Sequence, residues 1–165
     1  MRKIALIGCS SKKVKGSIDD HDKIYEAQAL YDGDTFKIAV DEECWKEKFG
    51  CENFHILSAK YHLLDKNTLI SWYNYKLDNR YVKNYEENEK GDRVESNKEW
   101  AEKVIEQLQN EKHRYDLERD KFYIFAGQNY YENLKTHLKN CVTFDYYKGY
   151  VINLKSKHEQ NNGCK

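Results

Sequence analysis

Three places in this sequence put small and chemically active residues directly behind an apolar run. Gly8-Cys9-Ser10-Ser11-Lys12-Lys13 follows Ile4-Ala5-Leu6-Ile7, Ser58-Ala59-Lys60 follows Phe54-His55-Ile56-Leu57, and Gly127-Gln128 follows Phe122-Tyr123-Ile124-Phe125-Ala126. Continuous apolar runs of this length suit strands buried on both faces, as in a parallel sheet. In an open α/β sheet the strand ends share one edge, and ligands bind there. Ser10, Lys12 or Lys13, Ser58, Lys60 and Gln128 are therefore expected to converge. The small residues leave room, and the hydroxyl, ammonium and amide groups orient a polar ligand. Backbone N–H groups of a glycine-containing turn ahead of a helix suit phosphate or carboxylate.

The single residues each carry a functional and a structural reading. Cys9 has no histidine beside it in sequence, and its reading favours a small buried hydrophobe over a nucleophile. Lys60 leaves its strand directly, so chain direction turns it toward the edge cleft. His62 is read as structural before it is read as a base, and His55, alternating with Phe54 and Ile56, as structural. Trp72, Tyr73 and Tyr75 offer either base stacking or core packing. Tyr130 and Tyr131 open a helix at the expected cleft, where one of them can stack or hydrogen-bond. The cluster Asp19-Asp20-His21-Asp22 reads as the acidic start of a helix rather than a cation site. No P-loop, Rossmann glycine triplet, H-E-x-x-H, G-x-S-x-G or zinc-deaminase signature occurs. No cofactor and no metal are expected.

The elements that must position these groups read in the order β, α, α, β, an insertion, α, β, α, β. Strands are expected over 3–9, 53–58, 121–126 and 141–145, with a last strand or helix within 148–154. Helices are expected over about 23–31, 35–49, 97–112 and 129–139. Asp34 is a candidate cap, Gly50 a C′ terminator, and Ser96-Asn97-Lys98-Glu99 a capping box. Residues 65–80 read as part loop and part short helix, and 80–95 as a long surface excursion. Alternation of strand and helix implies a mostly parallel sheet of four to five strands with helices on both faces. One domain, 1–154, is expected, followed by a polar tail, 155–165.

Composition narrows the function classes. The 165 residues carry 28 basic and 28 acidic side chains, so no global field draws in nucleic acid, and any such contact needs a local patch. Fourteen Tyr, six Phe and three Trp supply core volume and argue against disorder. No apolar run approaches a membrane span, and the short run behind Met1-Arg2-Lys3 is too brief for a signal peptide. Five cysteines, an odd number without C-x-x-C spacing, favour reduced thiols and a cytoplasmic setting.

Beyond these readings, the set Gly8-Cys9-Ser10-Ser11-Lys12-Lys13, Ala29-Leu30-Tyr31, Leu57-Ser58-Ala59-Lys60-Tyr61-His62-Leu63-Leu64, Trp72-Tyr73-Asn74-Tyr75-Lys76-Leu77 and Ala126-Gly127-Gln128-Asn129-Tyr130-Tyr131 resembles an uncharacterised bacterial and phage family. Its pattern is roughly C-S-x-x-K, A-x-x-L-Y, L-S-A-K-Y-G-L, P-Y-D-x-x-L and A-G-x-x-Y, and the resemblance spans nearly the whole chain in order. That family is similar at a distance to the base-modification domain of archaeosine synthase and to the uracil-DNA glycosylase superfamily. The peroxide-stress protein YaaA is a looser likeness in motif style. The resemblance implies a three-layer α/β/α sandwich and binding or chemistry at a nucleobase. Two departures stand out: His62 replaces a glycine of the pattern, and Trp72-Tyr73-Asn74 replaces Pro-Tyr-Asp.

The expected function is a nucleobase-directed enzyme that cleaves an N-glycosidic bond in DNA or a nucleotide. Ser10, Ser58 and Gln128 would hold the base edge, Lys60 would stabilise the departing base anion, and Asn74 would place water. Tyr73 or Tyr131 would stack on the base and Lys12 or Lys13 would hold phosphate, with Cys9, Tyr61 and Gly127 lining the same site. Lys60, Asn74 and Ser58 are the catalytic candidates. A duplex substrate would have to present its base flipped out. The alternative expectation is a non-catalytic nucleotide or modified-base binder, a sensor or sponge.

Overall fold

A computed structural model describes residues 1–10, 12–73, 75, 77, 86–87 and 93–144. Strand β1 (Lys3–Gly8) is followed by β2 (Ile24–Glu26), α1 (Ala27–Leu30), α2 (Asp34–Ala39) and a π-helical turn (Glu43–Glu47). Next come β3 (Asn53–Ser58), β4 (His62–Asp65), β5 (Leu69–Ser71), and the short strands β6 (Glu86–Glu87) and β7 (Arg93–Val94). The described chain closes with α3 (Asn97–Gln109), β8 (Lys121–Phe125), α4 (Gln128–Leu134) and β9 (Cys141–Thr143). The main sheet has the order β4-β3-β1-β8-β9, and only β4 runs antiparallel to its neighbour.

Period-two alternation in the apolar strands divides the core. Ile4, Leu6, Leu57, Phe122 and Ile124 pack with Trp100, Val104 and Leu108 of α3 and with Leu134 of α4. Ala5, Ile7, Phe54, Ile56 and Phe125 pack instead with Leu30, Phe36 and Trp45. Each fully buried large side chain contributes ~1.5–3 kcal/mol relative to exposure, which is why β1 carries no polar residue between Ile4 and Ile7.

The capping box is formed: Ser96 Oγ accepts from Glu99 N–H at 3.2 Å, and Glu99 Oε2 accepts from Ser96 N–H at 2.9 Å. Ser96→Ala should cost ~1 kcal/mol, a fall of ~2–4 °C in Tm for a chain of this size. A thermal melt unchanged by that substitution would show that α3 is held by its buried face alone.

Five expectations change in the structure. Residues 24–26 form a strand rather than a first helical turn, because they pair with Leu69–Ser71. The short helix behind them donates its first N–H groups, from Ala27 and Gln28, to the carbonyls of Thr68 and Lys66 at 2.8 and 3.0 Å. The stretch 65–80 accordingly supplies the last residue of β4 and strand β5, where a loop and a short helix are expected, and Asp19–Asp22 lies in turns rather than at a helix start. Finally, the single helix over 35–49 breaks after Ala39, since the Asp41 carboxylate accepts from Glu43 N–H at 2.9 Å and offers the backbone a turn in place of the helical ladder. Asp34 lies in the first turn and not at the cap, which is Gly33. Gly50 does terminate this region, at φ +69° with its N–H on Lys46 O at 2.8 Å. The expected element within 148–154, the polar tail and most of 80–95 lie outside the described residues.

Candidate functional site

Strands β1, β3 and β8 are parallel and adjacent, so Cys9, Ser58 and Ala126 leave the sheet at one edge. Cys9 extends the pairing by one hydrogen bond, from its N–H to Leu57 O at 2.9 Å. The loop behind it is pinned to the end of α1: Val14 N–H donates to Leu30 O and Asp32 N–H to Lys12 O, both at 2.9 Å. This pairing carries Lys13 back over the aromatic residues at the edge.

A chain of hydroxyls runs across that edge. Tyr31 OH lies 2.6 Å from Tyr73 OH, which lies 2.9 Å from Ser58 Oγ. Ser58 Oγ also accepts from Tyr61 N–H at 3.0 Å, closing the turn that contains Lys60, and Ser58 O accepts from Trp100 Nε1–H at 2.8 Å. Cys9 Sγ lies 3.4 Å from Tyr130 OH. Burial, reinforced by the neighbouring Cys9, pushes the phenols of Tyr31, Tyr73 and Tyr130 far above the ordinary tyrosine value. They remain protonated and act as neutral donors and acceptors.

Two ammonium groups flank Tyr73. Lys13 Nζ lies 4.5 Å and Lys60 Nζ 5.7 Å from its ring centroid, within cation–π range. Lys60 Nζ also lies 5.2 Å from the ring of Tyr61, which meets Tyr73 edge-on with centroids 5.4 Å apart. Lys60 is exposed, so its charge faces solvent at the strand end. Lys12 turns away to Asp32, 3.6 Å from a carboxylate that Lys37 and Lys12 hold below its ordinary value.

The structure therefore brings Cys9, Lys13, Ser58, Lys60, Tyr61 and Tyr73 together. Ser10 is committed to the fold: its Oγ donates to Lys12 O at 2.6 Å and accepts from Gly33 N–H at 3.1 Å. Gly127 caps α4 with open space where a side chain would be, and the exposed Gln128 amide reaches Glu132 at 3.5 Å. Tyr131 packs into the core beside Leu134, and its neighbour Tyr130 is the one that reaches Cys9. Trp72 stacks on His21, centroids 4.6 Å apart. Asn74 lies outside the described residues.

Gly33 is required by space. A Cβ at this position would lie 2.7 Å from Ser10 Cβ. Gly33→Ala should destabilise by ~1–3 kcal/mol through overpacking, and the double variant with Ser10→Gly, which itself loses two hydrogen bonds, should cost less than the sum of the two single losses. Strictly additive losses in thermal melts would remove the steric account. His62 is strained in another way. Its φ of +66° lies in the left-handed region, and its ring holds Glu95 at 2.6 Å in compensation.

Sequence reasoning missed Tyr31 as a member of the hydroxyl chain. Its signal was its place in the Ala29-Leu30-Tyr31 motif, and a tyrosine behind Leu30 reads equally well as core.

A family model described as a family of unknown function (DUF6884) matches residues 4–146 of the chain. No curated protein and no solved structure matches it.

Proposed function

Since the chain belongs to a family of unknown function, DUF6884, its activity must be argued from its own residues, and we propose that the strand-end site binds a nucleobase and cleaves its N-glycosidic bond. The observation that carries this reading is the pair of ammonium groups, Lys13 and Lys60, over the ring of Tyr73 at an edge lined by small residues. Cleavage leaves negative charge on the departing base and positive charge on the sugar. A cation held at the base side stabilises that transition state more than the ground state. Lys60 has this role, Lys13 holds phosphate, and Tyr61 supplies an aromatic face. Ser58 orients Tyr73 and the Lys60 turn, acting through them rather than on the substrate. Asn74 places water in this scheme, and Gln128 and Gly127 border the base pocket.

The scheme goes with a three-layer α/β/α arrangement and a distant relationship to uracil-DNA glycosylases and the archaeosine synthase base-modification domain, both inferred from the motif set. The partner is nucleic acid or a nucleotide. A reducing cytoplasm suits Cys9, Cys44, Cys51 and Cys141, none of which is in a disulfide. No described helix is long and apolar enough to cross a membrane.

One observation favours a second reading, a non-catalytic nucleotide or modified-base binder. The buried phenols at the edge are all driven toward the neutral form, which suits binding without proton transfer. Incubation of the purified protein with modified and unmodified DNA and with nucleotides, followed by mass spectrometry for free base, separates the two. Released base establishes cleavage, and a nucleotide retained intact on the protein establishes binding alone.

A further inference from the structure

On the sheet face opposite Ser58, His55 of β3 meets Asp65 of β4 and His113 of the turn behind α3. Asn110 builds that turn, its Oδ1 accepting from the N–H groups of Lys112 and His113 at 3.0 and 3.1 Å. His113 Nδ1 then lies 2.8 Å from the carbonyl oxygen of Gln107. A carbonyl only accepts, so this nitrogen carries the ring proton. In the neutral ring Nε2 is a lone pair, and it faces Asp65 Oδ1 at 2.9 Å. Two acceptors at that separation need a cation between them, either a second ring proton or a metal ion.

His55 points to the same oxygen. Its Nδ1 lies 2.8 Å from Asp65 Oδ1, and its Nε2 lies 2.7 Å from Tyr115 OH. A phenol oxygen accepts as well as donates, so Nε2–H can donate to Tyr115 and leave Nδ1 as a second lone pair. The three ligand atoms all lie within 4.8 Å of one another.

We propose that His55 Nδ1, His113 Nε2 and the Asp65 carboxylate form a binding site for a divalent transition-metal ion, with zinc as the ion that best fits two imidazoles and one carboxylate. Bonds of about 2.0–2.2 Å place neighbouring ligands about 3–3.5 Å apart, so the observed N···O separations open slightly and the two nitrogens, within 4.8 Å of each other, draw together around the ion. The distal nitrogens already have the partners that metal-bound histidines need, the Gln107 carbonyl and the Tyr115 hydroxyl. A cavity of about 510 Å³ bordered by Arg2, Glu52 and Asn53 leaves a fourth position open to water or an anion. The cationic neighbours on this cavity are Lys112, which pairs with Asp65 Oδ2, and Arg2, which stacks over Tyr115 at 4.6 Å, and Glu52 is its anionic one. The Lys112 side chain is 68% exposed and can leave when a metal arrives.

The test uses the full chain, stripped with a chelator and titrated with zinc chloride. Bound metal is measured by mass spectrometry of the gel-filtered protein, and coordination by the absorption of the cobalt-loaded form. One zinc per chain is expected. His113→Gln should weaken binding ~100-fold or more, since loss of outer-shell support alone costs about 10–100-fold. Lys112→Gln should tighten it several-fold by removing the competing ammonium, and this exposed substitution leaves the cluster folded. Cobalt should give visible bands without thiolate charge transfer. The proposal fails if no zinc is retained, if His113→Gln or Lys112→Gln leaves the affinity unchanged, if cobalt reports thiolate ligands, or if nitrogen NMR finds both His113 nitrogens protonated in the zinc-treated protein.

Discussion

Under the proposed cleavage, Lys60→Ala should slow base release by ~10²–10³-fold, the usual cost of removing one group that stabilises developing negative charge, while Tm should stay essentially unchanged. The argument for the split is geometric. Lys60 is exposed, and among the described residues its ammonium meets the faces of Tyr61 and Tyr73, at 5.2 and 5.7 Å from the ring centroids. Exposed cation–π contacts are worth ~0.5–1 kcal/mol, too little to move the melt by more than a few degrees. The expected loss lies in turnover at saturating substrate, because the charge on the base appears only as the bond breaks. Lys60→Arg keeps the cation and should retain part of the rate. Wild-type turnover in Lys60→Ala would take this residue out of the mechanism. A loss confined to KM would leave it a binding role and support the non-catalytic reading.

The second large effect is on stability. Trp100 is fully buried, sits edge-on to Tyr130 with centroids 5.3 Å apart, and donates Nε1–H to Ser58 O at 2.8 Å. Trp100→Ala should cost ~3–5 kcal/mol through lost burial and a cavity, or on the order of 10 °C in Tm. Trp100→Phe separates volume from hydrogen bonding. It keeps most of the packing and leaves the Ser58 carbonyl without that donor, at ~1–3 kcal/mol. The same variant should impair base release or ligand retention, because Ser58 O lies where the chain turns from β3 toward Lys60. Chemical denaturation of both variants gives the energies directly. A Trp100→Phe protein as stable and as active as wild type would show that α3 supports the edge by bulk alone.

His62 shows how local strain can be tolerated near a site. Its left-handed backbone would suit glycine, yet the ring reaches Glu95, which also pairs with Lys103. A hydrogen bond thus tethers the β3–β4 turn to the segment leading into α3. This is a physical role for a histidine standing where the motif pattern has glycine.

Much of the scaffold was legible in the sequence. The runs at Lys3–Gly8, Asn53–Ser58 and Lys121–Phe125 form parallel neighbours, because a strand buried on both faces has to be apolar throughout and so announces itself. The Ser96–Glu99 box marks the start of α3 for an equally local reason: cap and partner are three residues apart. Gathering of Cys9, Ser58 and Lys60 at one edge follows from parallel topology, which the strand–helix alternation implies.

Pairing across long separations was not legible. Ile24–Glu26 is a strand only because Leu69–Ser71 lies beside it, and nothing within three residues demands it. The hydroxyl chain Tyr31–Tyr73–Ser58 spans residues whose types suit core packing equally well. The convergence of His55, Asp65 and His113 joins ligands ten and forty-eight residues apart, with none of the close repeats that mark a metal motif. The sequence by itself determined which segments must be buried and which strand ends carry active groups, since burial and capping are read over a few neighbouring residues. The tertiary structure alone decided which tyrosine meets which serine and which two histidines share a carboxylate, because hydrogen bonds between distant residues depend on register and on the path of the chain between them.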